Sequence, residues 1–383
     1  MKESSPIVIF ANPVFEGEGL ASTVELAKGI SEHQEVLFIN FPMTFTQLIK
    51  GQEPLRLLRA TGLKSRLYQP IEELSKLWVL EMPLMLPSNK IGSEKLYHKV
   101  LARNNRTYRL HVQCAIERLN WSSTIAVNAF NPLYLEAFTS VNAIKHVYYC
   151  YDNIEAAYWL SRHGATLEKK LAAQVDEIYV SSQALMEKFS ASNRPVVWIP
   201  NGMQPNHFKR TTAFPVHAFH AAYIGALDDR IDYELLQHLL RHFIDFRITL
   251  VGPIKCEEAQ VLIQHERVCY RGLKKPSEVG QLIQDCDIGL IPFVKNEFTR
   301  FIYPLKINEY LCLGMSVLTT DFADLSVFSE WVTPVSSIQE AIDELECIKG
   351  HKDVFEMVEG RIKFAQLQSW QARAQKMRTH LNG

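Results

Sequence analysis

None of the seven cysteines has a second at CxxC spacing, and the thirteen histidines include no HExxH-type pair. An odd, scattered set of cysteines argues against a disulfide framework, and the missing ligand spacings argue against a protein-held zinc. No apolar run approaches the roughly 18–20 residues that span a bilayer. The first residues lack the charged-then-apolar layout of a secretory signal. There are no repeats at solenoid periods and no low-complexity tracts. Basic and acidic residues nearly cancel, 41 against 42. These absences lead to the expectation of a cytoplasmic protein without metal or cofactor.

What is present is an alternation. Ala222–Gly225, Ile248–Gly252, Val268–Gly272, Ile288–Pro292 and Ser316–Thr320 are short apolar runs with glycine or proline punctuation. Helical patterns at Tyr233–Phe243, Glu257–His265 and Ser277–Asp285 separate them. The first half repeats the layout, with strands expected at Ile7–Phe10, Val36–Asn40, Leu77–Leu80, Ile125–Asn128, Val147–Cys150, Ile178–Val180 and Val196–Ile199. Such spacing implies α/β architecture with parallel, doubly wound sheets, whose ligands bind at the carboxyl ends of the strands. The 383 residues suit two Rossmann-like domains. The boundary is expected at the turn signal Pro200-Asn201-Gly202, giving domains 1–202 and 203–361, with a terminal helix of about 362–383 returning to the first.

Pro304 to Gly314 reads as a short helix started by proline. Lys306, Glu309 and Tyr310 are three and four residues apart and share a face. That face lies at the positive end of the helix, near Pro304 and Leu305, where backbone N–H groups and the helix dipole favour an anion. A diphosphate would meet Lys306, and Glu309 one turn on would accept from a ribose diol. A solvated Lys–Glu pair is the competing reading.

A second candidate is Asp152, a carboxylate that ends the aromatic strand Val147-Tyr148-Tyr149-Cys150-Tyr151. Partly desolvated by Tyr149, Tyr151 and Trp159, it would accept a proton; alternatively, Asp152 or Asn153 caps the next helix. The loop after the first strand carries Gly17, Glu18 and Gly19, which either shape an acceptor-side turn or are purely structural. Its glutamates and spacing do not suit a dinucleotide fingerprint. Asp285-Cys286-Asp287 has the Asp-x-Asp spacing of a metal motif, yet it reads as a helix cap that leads straight into a buried strand. From Lys50 to Arg109, twelve cations face five acids, interleaved with leucines. Such a segment either lies on an anionic membrane surface or is ordinary solvated helix. No nucleic-acid motif accompanies it.

Taken in order, Leu167-Glu168, Val175 to Ser182, Ile199-Pro200-Asn201-Gly202, Tyr223-Ile224-Gly225, Leu250 to Pro253, Gly289 to Phe293 and Pro304 to Gly314 resemble GT-B-fold glycosyltransferases of the large group-one/family-four kind. The nearest flavour is bacterial polysaccharide synthesis, as in teichuronic-acid transferases and the membrane-associated xanthan glucuronosyltransferase. The resemblance spans about Tyr148 to Ser329; earlier residues match only in layout. It implies two Rossmann-like domains facing a cleft. A nucleotide-sugar donor, UDP-sugar favoured, would be held by the second, and a saccharide or polyprenyl-linked saccharide acceptor by the first. The transfer is expected to be metal-independent and inverting, on a peripheral protein at the inner face of the membrane. Residue by residue, Lys306 matches the cation on the diphosphate and Glu309 the ribose reader. Arg230, following Gly225, matches a phosphate-binding base, and Asp152 matches the proposed catalytic base. Where the family keeps a glutamate, this chain has Phe301, with Glu297 nearby as a substitute. A nucleotide-sugar epimerase and a non-catalytic nucleotide-sugar-binding subunit are the alternatives.

Overall fold

Fourteen strands are assigned in the computed structural model, which describes residues 4–17, 21–49, 64–88, 91–156, 162–211, 219–350 and 355–383. The chain divides into two compact units. One comprises Met1–Pro200 with Arg373–Gly383, the other Asn201–Ala372.

The first unit holds β1 (Ile7–Ala11), β2 (Val36–Ile39), β3 (Arg66–Tyr68), β4 (Leu77–Glu81), β5 (Thr124–Ala129), β6 (Ala143–Cys150), β7 (Glu177–Val180) and β8 (Val196–Trp198). Their order in the sheet is β3-β4-β2-β1-β5-β6-β7-β8. All pairings are parallel except β3 with β4. The sequence Ile-Val-Ile-Phe-Ala of β1 is buried at every position, as a central parallel strand covered on both faces requires. Winding reverses between β1 and β5, which places a ligand-type crevice at their carboxyl ends.

The second unit holds β9 (His220–Ile224), β10 (Arg247–Val251), β11 (Val268–Tyr270), β12 (Ile288–Ile291), β13 (Ser316–Thr320) and β14 (Pro334–Val335). The order β11-β10-β9-β12-β13-β14 is wholly parallel. It is the doubly wound order in which winding reverses between β9 and β12. This α/β architecture matches the expectation. Two short edge strands, β3 and β14, are additions to it.

The chain end differs from the expected boundary. Helix Phe355–Gln366 belongs to the second unit, because Arg361 is buried and donates to the Gly314 carbonyl at 3.0 Å, while Phe364 packs on Phe328. Trp370 N donates to the Met203 carbonyl. Return to the first unit therefore begins at Arg373, not near 362. There Lys145 donates to the His380 carbonyl at 2.9 Å, and Asn382 exchanges amide bonds with Gln34.

Candidate functional site

In the second unit, Ile288 and Gly289 pair with Ala221 and Ala222, and then β9 and β12 part. The Tyr310 hydroxyl fills the gap, accepting from Ile224 N at 2.9 Å and donating to the Leu290 carbonyl at 3.2 Å. Its ring lies over Gly289, where any Cβ would collide with it. Tyr310 is fully buried. The expectation that it faces a ligand is corrected by this packing: the phenol is committed to holding the crevice open.

The helix that supplies Tyr310 runs Leu305–Cys312. Pro304 is its N-cap rather than its first helical residue, since its ψ of 81° is not helical. Leu305 N and Ile307 N donate to the Tyr303 and Pro304 carbonyls. Lys306 lies against Gly225, where a Cβ would stand 2.7 Å from Lys306 Cε and 3.3 Å from Nζ. Gly225 has φ 143°, and Gly252, beneath its carbonyl, has φ 149°. Both values favour glycine, and together they let the backbone approach the lysine.

Glu309 is 6% exposed, and burial pushes its carboxyl up to about 7 despite the opposing charge of Lys306. Burial lowers the Lys306 ammonium; Glu309 and Asp228 raise it, and Arg230 lowers it further. Glu309, Arg230 and Asp228 are thus each within electrostatic reach of Lys306. Arg230 makes a two-pronged ion pair with Asp228, at 2.8 and 2.6 Å, and stacks over Phe293 at 5.6 Å. Burial raises Asp228, but the Arg230 fork outweighs it and leaves the carboxyl below its ordinary value. Nothing in the sequence singled out Asp228 apart from its position two residues before Arg230. Phe301 is buried in the turn Thr299–Phe301, and Glu297 is an exposed side chain paired with Arg300 at 3.5 Å.

Asp287 accepts from Phe219 N and His220 N, at 3.0 and 2.9 Å. It therefore holds the start of β9, a strand, where the sequence suggested a helix cap. Among the described residues, no group of three His, Cys, Asp or Glu side chains converges as a metal site would need.

In the first unit, Asp152 stands just past the carboxyl end of β6, half-buried. Its Oδ1 accepts from Asn153 N at 2.8 Å, while Asn153 Oδ1 takes Glu155 N at 3.4 Å. Capping of the turn Ile154–Ala156 is therefore the work of Asn153. Trp159 lies outside the described residues, as do Glu18 and Gly19. Gly17 closes a turn on the Val14 carbonyl, and Phe15 N donates to Asn40 Oδ1 at 2.8 Å, which fixes the loop from beneath. At the adjoining end of β5, Phe130 has φ 58°, a conformation rare for a bulky residue. Asn131, 1% exposed, ties that turn to the Ala11 carbonyl.

Each unit is doubly wound and open at a switch point, and a chain of two such Rossmann-like units has the GT-B fold. Solved structures with this fold include sucrose-phosphate synthase from Thermosynechococcus elongatus, at TM-score 0.66 and 12% identity over 97% of each chain. The Anabaena protein HepE, solved in complex with UDP, aligns at TM-score 0.66 and 15% identity over 99% of each chain. A UDP-forming trehalose-phosphate synthase from Burkholderia xenovorans gives 0.65 and 9%, covering 99% of this chain and 100% of that one. By sequence, the chain is similar to a protein named as a putative teichuronic acid biosynthesis glycosyltransferase from Bacillus subtilis (strain 168). Identity is 23% over 173 residues, 42% of this chain and 44% of the relative, so the match spans less than half of either. No protein-family model matches the chain.

Proposed function

We propose that this protein is a glycosyltransferase that moves a sugar from a nucleoside-diphosphate sugar, UDP-sugar favoured, to a saccharide or polyprenyl-linked saccharide acceptor in cell-surface polysaccharide synthesis. The observation that carries the reading is Lys306 pressed against Gly225 at the carboxyl edge, where β9 and β12 part. A cation beside a glycine backbone at a helix start is what a diphosphate needs. The printed names support it: HepE was solved with UDP and with UDP and glucose, and the bacterial relative is named for teichuronic acid synthesis.

In this reading the second unit holds the donor and the first the acceptor. Asp152 takes the proton of an acceptor hydroxyl, whose oxygen attacks the anomeric carbon in line, with inversion. The bond from that carbon to the diphosphate oxygen breaks, and the nucleoside diphosphate leaves with the electron pair. Lys306 and Arg230 stabilise its charge most strongly at the transition state. Glu309 accepts from the ribose hydroxyls. The two side-chain cations serve the diphosphate, so the transfer is metal-independent.

The protein would work at the inner face of the membrane as a peripheral enzyme. Helix Glu94–Arg118 exposes Lys95, Lys99, Arg103, Arg106 and Arg109, with acids only at its ends, Glu94 and Glu117. None of the five cations forms an ion pair among the described residues, and Leu96 and Leu110 are each about half exposed beside them. That face suits an anionic bilayer. The segment from 50 to 63 lies outside the described residues. No described helix is long and apolar enough to cross a membrane.

A calorimetric screen of UDP, GDP, dTDP and their sugars tests the donor reading. Incubating the bound sugar nucleotide alone separates transfer from epimerisation, since only an epimerase converts the sugar without an acceptor.

A further inference from the structure

Behind Asp152 sits a buried carboxylate that the proposed chemistry does not use. Glu168, in helix Gly164–Gln174, is 3% exposed. Its Oε1 accepts the Tyr148 hydroxyl at 2.7 Å and faces Cys150 Sγ at 3.6 Å. Its Oε2 accepts Lys188 Nζ at 2.7 Å. Tyr148 and Cys150 are fully buried in β6, and Lys188 lies in the last turn of helix Gln183–Phe189. A carboxylate taken from water on this scale persists only when its oxygens are matched by donors and its charge by a cation, as here.

The network does more than join two helices to a strand. Lys188 Nζ also donates to Asn153 Oδ1 at 3.2 Å, and Cys150 Sγ donates to the Asp152 carbonyl at 3.2 Å. Ser181 Oγ holds the preceding carbonyl, Tyr151 O, at 2.9 Å. The segment around Asp152 is therefore tied through two backbone carbonyls and the Asn153 side chain, and two of these three ties originate from side chains that Glu168 itself contacts.

We propose that the Glu168–Lys188 pair is a positioning device for Asp152, fixing the segment that follows β6 so that the Asp152 carboxylate is aimed before any acceptor arrives. The inference rests on Asp152 being the base. Removing either member leaves its partner unmatched, and the partner then turns towards the Asp152–Asn153 backbone or away from it. A site held loosely by even about 1 Å forfeits most of the benefit of orientation.

The test uses the full-length protein with its aspartate carboxyl carbons labelled with 13C, and the Asp152 resonance identified by its absence in Asp152→Asn. Lys188→Met and Glu168→Gln are compared with wild type, with melting temperature as the check on folding. Glu168→Gln retains an acceptor for the Tyr148 hydroxyl, so it keeps the proposal testable if Lys188→Met does not fold. The expected result is that the Asp152 resonance moves or broadens beyond its line width in a folded variant, while Asp232 and Asp287 of the second unit stay in place. Lys188→Arg, which keeps a cation in reach of Glu168, returns the resonance towards wild type. An Asp152 resonance coincident with wild type in the folded variants overturns the proposal. So does a shift that Lys188→Arg leaves unrestored, because that marks general loosening of the first unit. These outcomes are read without turnover, so they are separate from an Asp152→Asn variant that still transfers, which removes the base assignment instead.

Discussion

Lys306 and Gly225 are in such close contact that a single methyl group at position 225 would stand 2.7 Å from the lysine Cε. The contact joins a helix start to the end of β9 across the switch point of the second sheet. Gly225→Ala adds that methyl at a φ of 143°, where strain costs about 1–3 kcal/mol. The expected outcome is a lower melting temperature with the fold retained, and weaker UDP binding because Lys306 is displaced. In a Lys306→Ala background the same glycine substitution should leave UDP affinity unchanged. Calorimetry on the four proteins reads the cycle directly.

Glu309 supplies a pH dependence with a definite sign. Its folded carboxyl is pushed up to about 7 from an ordinary 4.5, so the folded state holds the proton more tightly than the unfolded state. Stability from this group is therefore complete below about 4.5, falls as pH rises towards 7, and is constant above. The full loss is of order 3 kcal/mol at most. Lys306, lowered by burial, contributes the opposite slope below its ordinary value. Glu309→Gln should flatten the fall in melting temperature between pH 5 and pH 8. An unchanged slope would assign the titration elsewhere.

Asp152→Asn should fold, bind donor like the wild type and lose transfer by two to four orders of magnitude, the usual range for a general base. A thermal-shift titration with UDP checks the first two expectations, and product formation checks the third. Turnover at the wild-type rate would remove Asp152 from the mechanism.

Much of the architecture was legible because the short apolar runs recur at regular spacing between helical patterns. β1, β2, β5 and β12 are buried at every position, and such strands advertise themselves. β3 and β14 were not, being three and two residues at sheet edges with little apolar content. Helical spacing correctly grouped Lys306 and Glu309. It also grouped Tyr310, whose bulk took it under the helix to the gap between β9 and β12. The Glu168 network was invisible for another reason. Its members at 148, 150, 153, 168 and 188 come from two helices, a strand and a loop, and no local pattern connects them.

The exposed cations of helix Glu94–Arg118 give a surface prediction. The triple variant Lys99→Glu, Arg103→Glu, Arg106→Glu changes side chains that have no ion-pair partner among the described residues, so its melting temperature should match wild type within a few degrees. Sedimentation with phosphatidylglycerol vesicles should be lost in the variant, and neutral phosphatidylcholine vesicles should bind neither protein. Each cation near the surface contributes about 1 kcal/mol at most. Equal sedimentation of variant and wild type would leave this face as solvated helix.

The most direct measurement is calorimetric titration of UDP into wild type and Lys306→Ala at neutral pH. A lost charge-assisted contact to the diphosphate, worth about 1.5–3 kcal/mol, should weaken binding roughly ten- to a hundredfold. Identical affinity for the two proteins, or no binding of any nucleoside diphosphate to the wild type, would contradict the account.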